Sequence, residues 1–304
     1  MYNKLNKIYI GAICNRDLDT LDEIKKFCNK NYNISIIDLL KRDSNRFNIK
    51  YLKKQLKKYP ISYIILKILS EDSNKEIYNT ISNLAPNIPL VNSLNSVKLC
   101  ESRQETFKFI EKKIKKLNIP KHFFTMDKAF KACCEGIKII IKLDKHNFSN
   151  LPKNDRIIGI AKNPNQFLEL TNPYSERELF FQEYLGKFDT IYKIYVIGRW
   201  VVSITSHNRL NQNHNLSPLE LIHIRVPIEK QLKRRILRLG RKMGMSIFGI
   251  DYILTKDSTP YIVDINDFPS FRRIPEAVSL ISDFIYNSLV MRDRLYITPV
   301  KAKG

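Results

Sequence analysis

The feature that most narrows the folds open to this chain is the order of apolar segments in roughly its first ninety residues, which alternates between strand and helix spacing. IYIGAI at 8–13, ISIIDLL at 34–40 and YIILKIL at 63–69 are short apolar runs of the kind that form strands covered on both faces. Between the first two, LDTLDEIKKFCNK reads as an amphipathic helix with Asp and Thr near its start. NIKYLKKQLKKY places Ile49, Leu52 and Leu56 at helical spacing, and a further helical stretch from Asp72 to Ala85 is stopped by Pro86. This β-α-β-α order predicts a parallel, doubly wound sheet flanked by helices. No G-x-G-x-x-G follows the first strand, so a dinucleotide fingerprint is absent.

Beyond residue 93 the pattern changes. The spacing predicts one long helix over 94–117, a strand near Phe123-Phe124, a helix from Asp127 to Cys134 and the strongly apolar strand IKIIIKL. The polar stretch from Asp144 to Asp155 reads either as a phosphate-covering flap or as an ordinary long loop before RIIGIAKN. ELFFQEYL at 178–185 and IYKIYVI at 191–197 read as strands, and Gly198-Arg199 as a hairpin turn into WVVSITS. A helix from Glu229 to Met243 is ended by Gly244. The strands SIFGIDYIL and PYIVDIND follow, and then a helix from Pro275 to about Ser288.

Composition bounds the partners. With 52 basic against 30 acidic side chains the net charge of +22 favours an anionic partner: nucleic acid, an acidic membrane surface or a polyphosphorylated small molecule. The basic runs Lys53-Lys54, Lys57-Lys58 and Lys233-Arg234-Arg235 fall on helical patterns, where a solvated face is the commoner explanation. Cys14, Cys28, Cys100, Cys133 and Cys134 form no C-x-x-C pair, which speaks against zinc and against a disulfide framework. No apolar run reaches the ~18 residues of a membrane span, and the expectation is a soluble, cytoplasmic protein.

The chemistry concentrates in FGIDYIL-TKDSTP-YIVDIND. A symmetric turn centred on Asp257-Ser258 places Asp251 directly opposite Asp264, so their Cβ atoms should lie ~5 Å apart. Asn266 falls on the same face as Asp264 because side chains alternate along a strand. Two carboxylates and an amide oxygen on one patch are hard oxygen ligands of the kind Mg²⁺ prefers. The alternative is a pair of exposed strand acids balanced by nearby Lys or Arg. The apolar neighbours Ile250, Tyr252, Val263 and Ile265 favour a half-buried sheet, and hence the metal. On this view the acids repel one another, and losing one should cost the fold little.

Those residues carry a family resemblance. GID at 249–251, VDIN at 263–266 and then DFPSF resemble the metal-binding end of ATP-grasp enzymes, and Asp264-Ile265-Asn266-Asp267-Phe268-Pro269-Ser270-Phe271 is similar to the run seen in the inositol 1,3,4-trisphosphate 5/6-kinase family. FFQEYL followed by YKIYVIG agrees. The resemblance implies an ATP-grasp fold: an N-terminal doubly wound α/β domain over 1–93, then two α+β subdomains over 94–180 and 181–304 sandwiching ATP. It implies that Asp251, Asp264 and Asn266 hold Mg²⁺, and that Arg103, Lys142 and Arg209 serve the nucleotide phosphates. Gln182, Glu183 and Leu185 would form the adenine edge. Lys67, His146, Lys193, Ser270 and Arg272 would meet the acceptor. Acid-x-Asn with Asp, where amide ligases of the fold usually carry Glu, favours the kinase branch.

The departures are specific. Only nine glycines are present and 143–156 is not a glycine-bearing flap. His146 follows Lys142 one residue too soon, and Arg209 stands only near the place of the family's arginine. No general base is evident. The expected activity is an ATP- and Mg²⁺-dependent phosphotransferase acting on a hydroxyl of an anionic small molecule, an inositol phosphate by resemblance. An ATP-grasp carboxylate–amine ligase is the first alternative. A basic nucleic-acid-binding protein is the second, ranked last because no RNA or DNA module is recognisable.

Overall fold

The computed structural model describes residues 7–42, 47–71, 73–145, 156–188, 190–207 and 223–290. The chain forms two compact units. One comprises Met1–Ile68, Asp72–Val91 and Ser270–Gly304; the other comprises Leu69–Glu71 and Asn92–Pro269.

In the first unit the expected alternation is present: β1 (Ile8–Cys14), α1 (Leu18–Tyr32), β2 (Ile34–Asp38), α2 (Ile49–Lys58), β3 (Ile61–Lys67), α3 (Asn74–Leu84) and β4 (Leu90–Val91). The sheet is parallel in the order β2-β1-β3-β4. The chain therefore winds first to one side of β1 and then to the other, which makes the carboxyl ends of β1 and β3 the place where the winding reverses. A helix over Ala277–Val290 packs on α1 and so belongs with this sheet, although it follows the strands SIFGIDYIL and PYIVDIND in sequence.

The second unit holds two antiparallel sheets. Its elements are α4 (Leu94–Cys100), α5 (Arg103–Lys113), β5 (His122–Phe123), α6 (Met126–Cys134), β6 (Ile139–Leu143), β7 (Ile157–Ala161), α7 (Pro164–Thr171), β8 (Leu179–Glu183), β9 (Thr190–Ile197), β10 (Trp200–His207), β11 (Arg225–Val226), α8 (Lys230–Met243), β12 (Ile247–Leu254) and β13 (Pro260–Asp267). One sheet runs β5-β8-β6-β7 and the other β11-β10-β9-β12-β13. Phe107 and Ile110 of α5, Leu232, Ile236, Leu239 and Met243 of α8, and Phe180, Phe248 and Ile265 of the strands share one apolar core. Close approach makes Gly240 necessary, because a Cβ there would stand 2.5 Å from the Phe248 ring. Gly244 then ends α8 in the left-handed region, φ 76°, as its place after the last apolar turn predicts.

The long helix expected over 94–117 is two helices. Ser102 breaks it by accepting the Glu105 amide at its hydroxyl, which caps α5 afresh. The Ser102-x-x-Glu105 spacing is a helix-start signal that outweighs continuous apolar periodicity. Among the described residues no helix is long and apolar enough to cross a membrane.

Asn92 is the buried polar residue on which β12 depends. Its Nδ2 donates to the Ile247 carbonyl at 2.6 Å, and its Oδ1 accepts the Ser246 and Ile247 amides at 2.8 and 2.9 Å. Asn92→Ala would take the acceptor from the Ser246 and Ile247 amides where Asn92 is only 1% exposed, while the Ile247 carbonyl would keep the Phe268 amide at 3.1 Å. It should destabilise the protein by about 3 kcal/mol, measured as a lower urea midpoint with unchanged slope.

Candidate functional site

The hairpin of β12 and β13 sets the site. Asp251 pairs with Asp264, Ile250 with Ile265 and Gly249 with Asn266, the register that a symmetric turn predicts. Nearer the turn the register slips by one, so that Tyr252 faces Ile262. Val263 is the extra residue of a bulge, so the acids keep the register of a symmetric turn and the residues nearer the turn do not. Lys193 of β9 lies opposite Asp251 on the other side.

Each acid holds a base. Asp251 Oδ2 accepts from Lys193 Nζ at 2.6 Å. Asp264 receives Arg103 on both oxygens, from Nε at 3.3 Å and Nη2 at 3.2 Å. The third cation, Lys142 at the end of β6, donates to Gln182 Oε1 at 3.0 Å and to the Val263 carbonyl at 3.1 Å. Burial pushes the Lys142 ammonium down to about 8 against the pull of Asp264, while the Arg103 charge pushes the same way as burial. The acids are thus matched rather than mutually repelling, which corrects the view that losing one costs the fold little. Removing Asp264 would leave a guanidinium only 6% exposed without its carboxylate.

The donor set fits a hard divalent ion. No group of three or more His, Cys, Asp or Glu capable of holding a metal occurs among the described residues. An ion here would rest on Asp251, Asp264 and the Asn266 amide oxygen, with water or phosphate oxygens completing its shell. That is the chemistry of Mg²⁺ rather than of zinc.

The expected adenine edge lies on β8. Gln182 is 1% exposed, its Oε1 is taken by Lys142, and its Nε2 has no partner among the described residues. A buried unmatched amide donor is uncommon and suits a ligand acceptor. Glu183 follows, its amide bound to the Lys121 carbonyl at 2.7 Å, and Leu185 lies just beyond the strand. Across from Gln182 on β5 stands His122, packed among Phe107, Phe124 and Phe180, with burial lowering its pKa.

The residues expected at the acceptor divide. Lys193 is the partner of Asp251. Lys67 and Arg272 belong to the first unit, where both reach Asp17: Lys67 Nζ at 3.2 Å from Oδ2 and Arg272 Nη2 at 3.5 Å from Oδ1. Burial lowers Lys67 to about 8, the Arg16 charge adding to the effect and Asp17 opposing it. Asp17, which no sequence signal singled out, stands at the head of α1 in the left-handed region with φ 49°, and its carboxylate makes no cap bond. Ser270 is half-buried in the same unit. His146 and Arg209 lie outside the described residues.

A model of the inositol 1,3,4-trisphosphate 5/6-kinase ATP-grasp domain matches residues 202–287, which include Asp251, Asp264 and Asn266. No curated protein sequence matches significantly. Solved structures resemble the whole chain. A RiPP-associated ATP-grasp ligase of Chryseobacterium gregarium, in complex with ADP and a leader and core peptide, is 15% identical with a TM-score of 0.64, over 94% of this chain and 97% of that one. D-alanyl-alanine synthetase A of Vibrio cholerae is 12% identical with a TM-score of 0.65, over 94% and 98%. D-alanine–D-alanine ligase of Bacillus anthracis, complexed with ATP, is 14% identical with a TM-score of 0.61, over 94% and 99%. The chain has the ATP-grasp fold, and its residues 202–287 are similar to an ATP-grasp domain of the inositol phosphate kinase type.

Asp264→Ala should lower stability by about 2 kcal/mol through the stranded Arg103 charge. Asp264→Asn, which keeps one acceptor for the guanidinium, should recover about half of that in denaturant titrations.

Proposed function

We propose that this protein is an ATP- and Mg²⁺-dependent phosphotransferase acting on a hydroxyl of an anionic small molecule, with an inositol phosphate as the acceptor class. The observation that carries the reading is the Asp264-x-Asn266 step with Asp251 directly opposite, inside the segment that matches the inositol phosphate kinase model. Bound Mg²⁺ would supply charge neutralisation at the phosphates, held by Asp251, Asp264 and Asn266. Lys142 and Arg103 would donate to phosphate oxygens, and the Gln182 amide would face the base. In the transfer, the bond from the γ-phosphorus to the bridging oxygen of ADP breaks and one to the acceptor oxygen forms, the hydroxyl proton leaving to solvent. Positioning and charge account for most of the acceleration in such chemistry.

A second reading is supported by the solved relatives, several of which are named as ligases. An ATP-grasp ligase would use the same nucleotide residues and form an acyl phosphate from a carboxylate before an amine attacks it. The kinase reading stands first because its likeness falls on the site, whereas the ligase likeness rests on fold at low identity.

ADP formation measured across a panel of inositol phosphates and of carboxylate–amine pairs separates the two. Turnover with the inositol phosphates, weakened as salt rises, supports the kinase. ADP release only on adding a carboxylate together with an amine replaces it with the ligase.

Lys142 allows a pH test as well. Only its protonated form attracts phosphate, and in the ligand-free protein it loses its proton at about 8. ATP should therefore bind about tenfold more weakly at pH 9 than at pH 7. Calorimetry of Lys142→Ala should show weak binding at both pH values without that slope. For the fold the sign is opposite: because the folded pKa lies below its ordinary 10.5, the penalty of burying the ammonium is relieved as pH rises from about 8 towards 10.5.

A further inference from the structure

Asp144 lies two residues beyond Lys142, and none of the site roles above falls to it. It is buried, 9% exposed, at the end of an apolar strand. A carboxylate in such a place needs partners, and its partners are all structural. Its Oδ1 accepts the Gln104 amide at 2.7 Å. Its own carbonyl accepts the Arg103 amide at 2.9 Å, and its own amide donates to the Glu178 carbonyl at 2.7 Å. Burial raises its pKa, while the Gln104 amide and the Ser102 hydroxyl favour the charged form. Asp144 thus caps the first turn of α5 from another strand, in addition to the cap that Ser102 supplies from within.

The turn so held is the one that carries Arg103. The Arg103 side chain returns to the same strand end, where its Nη1 donates to the carbonyls of Leu143 and Lys145, the residues on either side of Asp144. Its remaining donors reach Asp264. The Arg103 guanidinium is therefore fixed at both ends by the 143–145 backbone: at its root through Asp144, and at its tip through Leu143 and Lys145. A negative charge at the start of α5 also suits the positive end of the helix.

We infer that Asp144 is a positioning residue, which fixes the first turn of α5 and through it the Arg103 guanidinium, and so sets ATP affinity without touching the nucleotide. This rests on the nucleotide reading of the site. Asn at 144 keeps the oxygen that accepts the Gln104 amide, whereas Ala removes it.

A double-mutant cycle read by calorimetric ATP binding tests it, because two residues that act through one another lose additivity. Asp144→Ala should weaken ATP about tenfold and Asp144→Asn about threefold or less. In an Arg103→Ala background, Asp144→Ala should change affinity by less than about twofold, a result that general loosening of the fold would not produce. If Asp144→Ala does not fold, Asp144→Ser, whose hydroxyl is too short to reach the Gln104 amide in the same way, carries the same cycle. Equal losses with and without Arg103, or wild-type affinity in Asp144→Ala, would overturn the inference alone. Absence of ATP binding by the wild type would overturn the nucleotide reading and this inference with it.

Discussion

Three cations and two carboxylates meet midway along one hairpin, and the surrounding structure follows from the need to match each of them away from bulk water. An ion pair removed from water is tolerated only when its remaining donors and acceptors are also met. Asp264 draws in Arg103, and Arg103 in turn draws the end of β6 and the start of α5 to the same place. Asp251 holds Lys193 from the neighbouring strand. Lys142 has neutral oxygens as its direct partners among the described residues, from Gln182 and Val263, and burial lowers its pKa to about 8. Charge is not balanced within the group. Its surplus is positive, which suits the anionic ligand proposed for it.

Much of the fold was legible because its periodicities are simple. Strands covered on both faces read as unbroken apolar runs, and α8 repeats Leu232, Ile236, Leu239 and Met243 along one face. The acid pair was legible because opposition across a hairpin is a matter of counting from its centre. The break between α4 and α5 was signalled by Ser102 and Glu105, but apolar spacing continued through it and masked the cap.

What could not be read is what depends on contacts between distant segments. Nothing in the neighbourhood of Arg103 marks Asp264, 161 positions away, as its partner. Asp144 reads as the first residue of a polar connector, and only the fold shows it buried beneath a helix. Asp17 has the look of an ordinary cap, yet its carboxylate turns to Lys67 and Arg272, cations contributed by a strand end and by a segment more than two hundred residues later. Local rules assign such residues to turns because turns are where they usually go.

The bulge at Val263 has a mechanical consequence. In an uninterrupted hairpin the turn and the far end of the ladder are one rigid gauge, and a slip of one residue at the turn reverses the facing of every side chain behind it. Here the ladder changes step between the turn and the acids. Pairing of Asp251 with Asp264 is held by β9 on one side and by Arg103 on the other, while Ile262 and Tyr261 follow the turn in their own register. The displaced residue also offers its carbonyl to Lys142. The irregularity works as a joint: the step set by the turn at 255–259 ends at Val263, and the carboxylates stand in the other step.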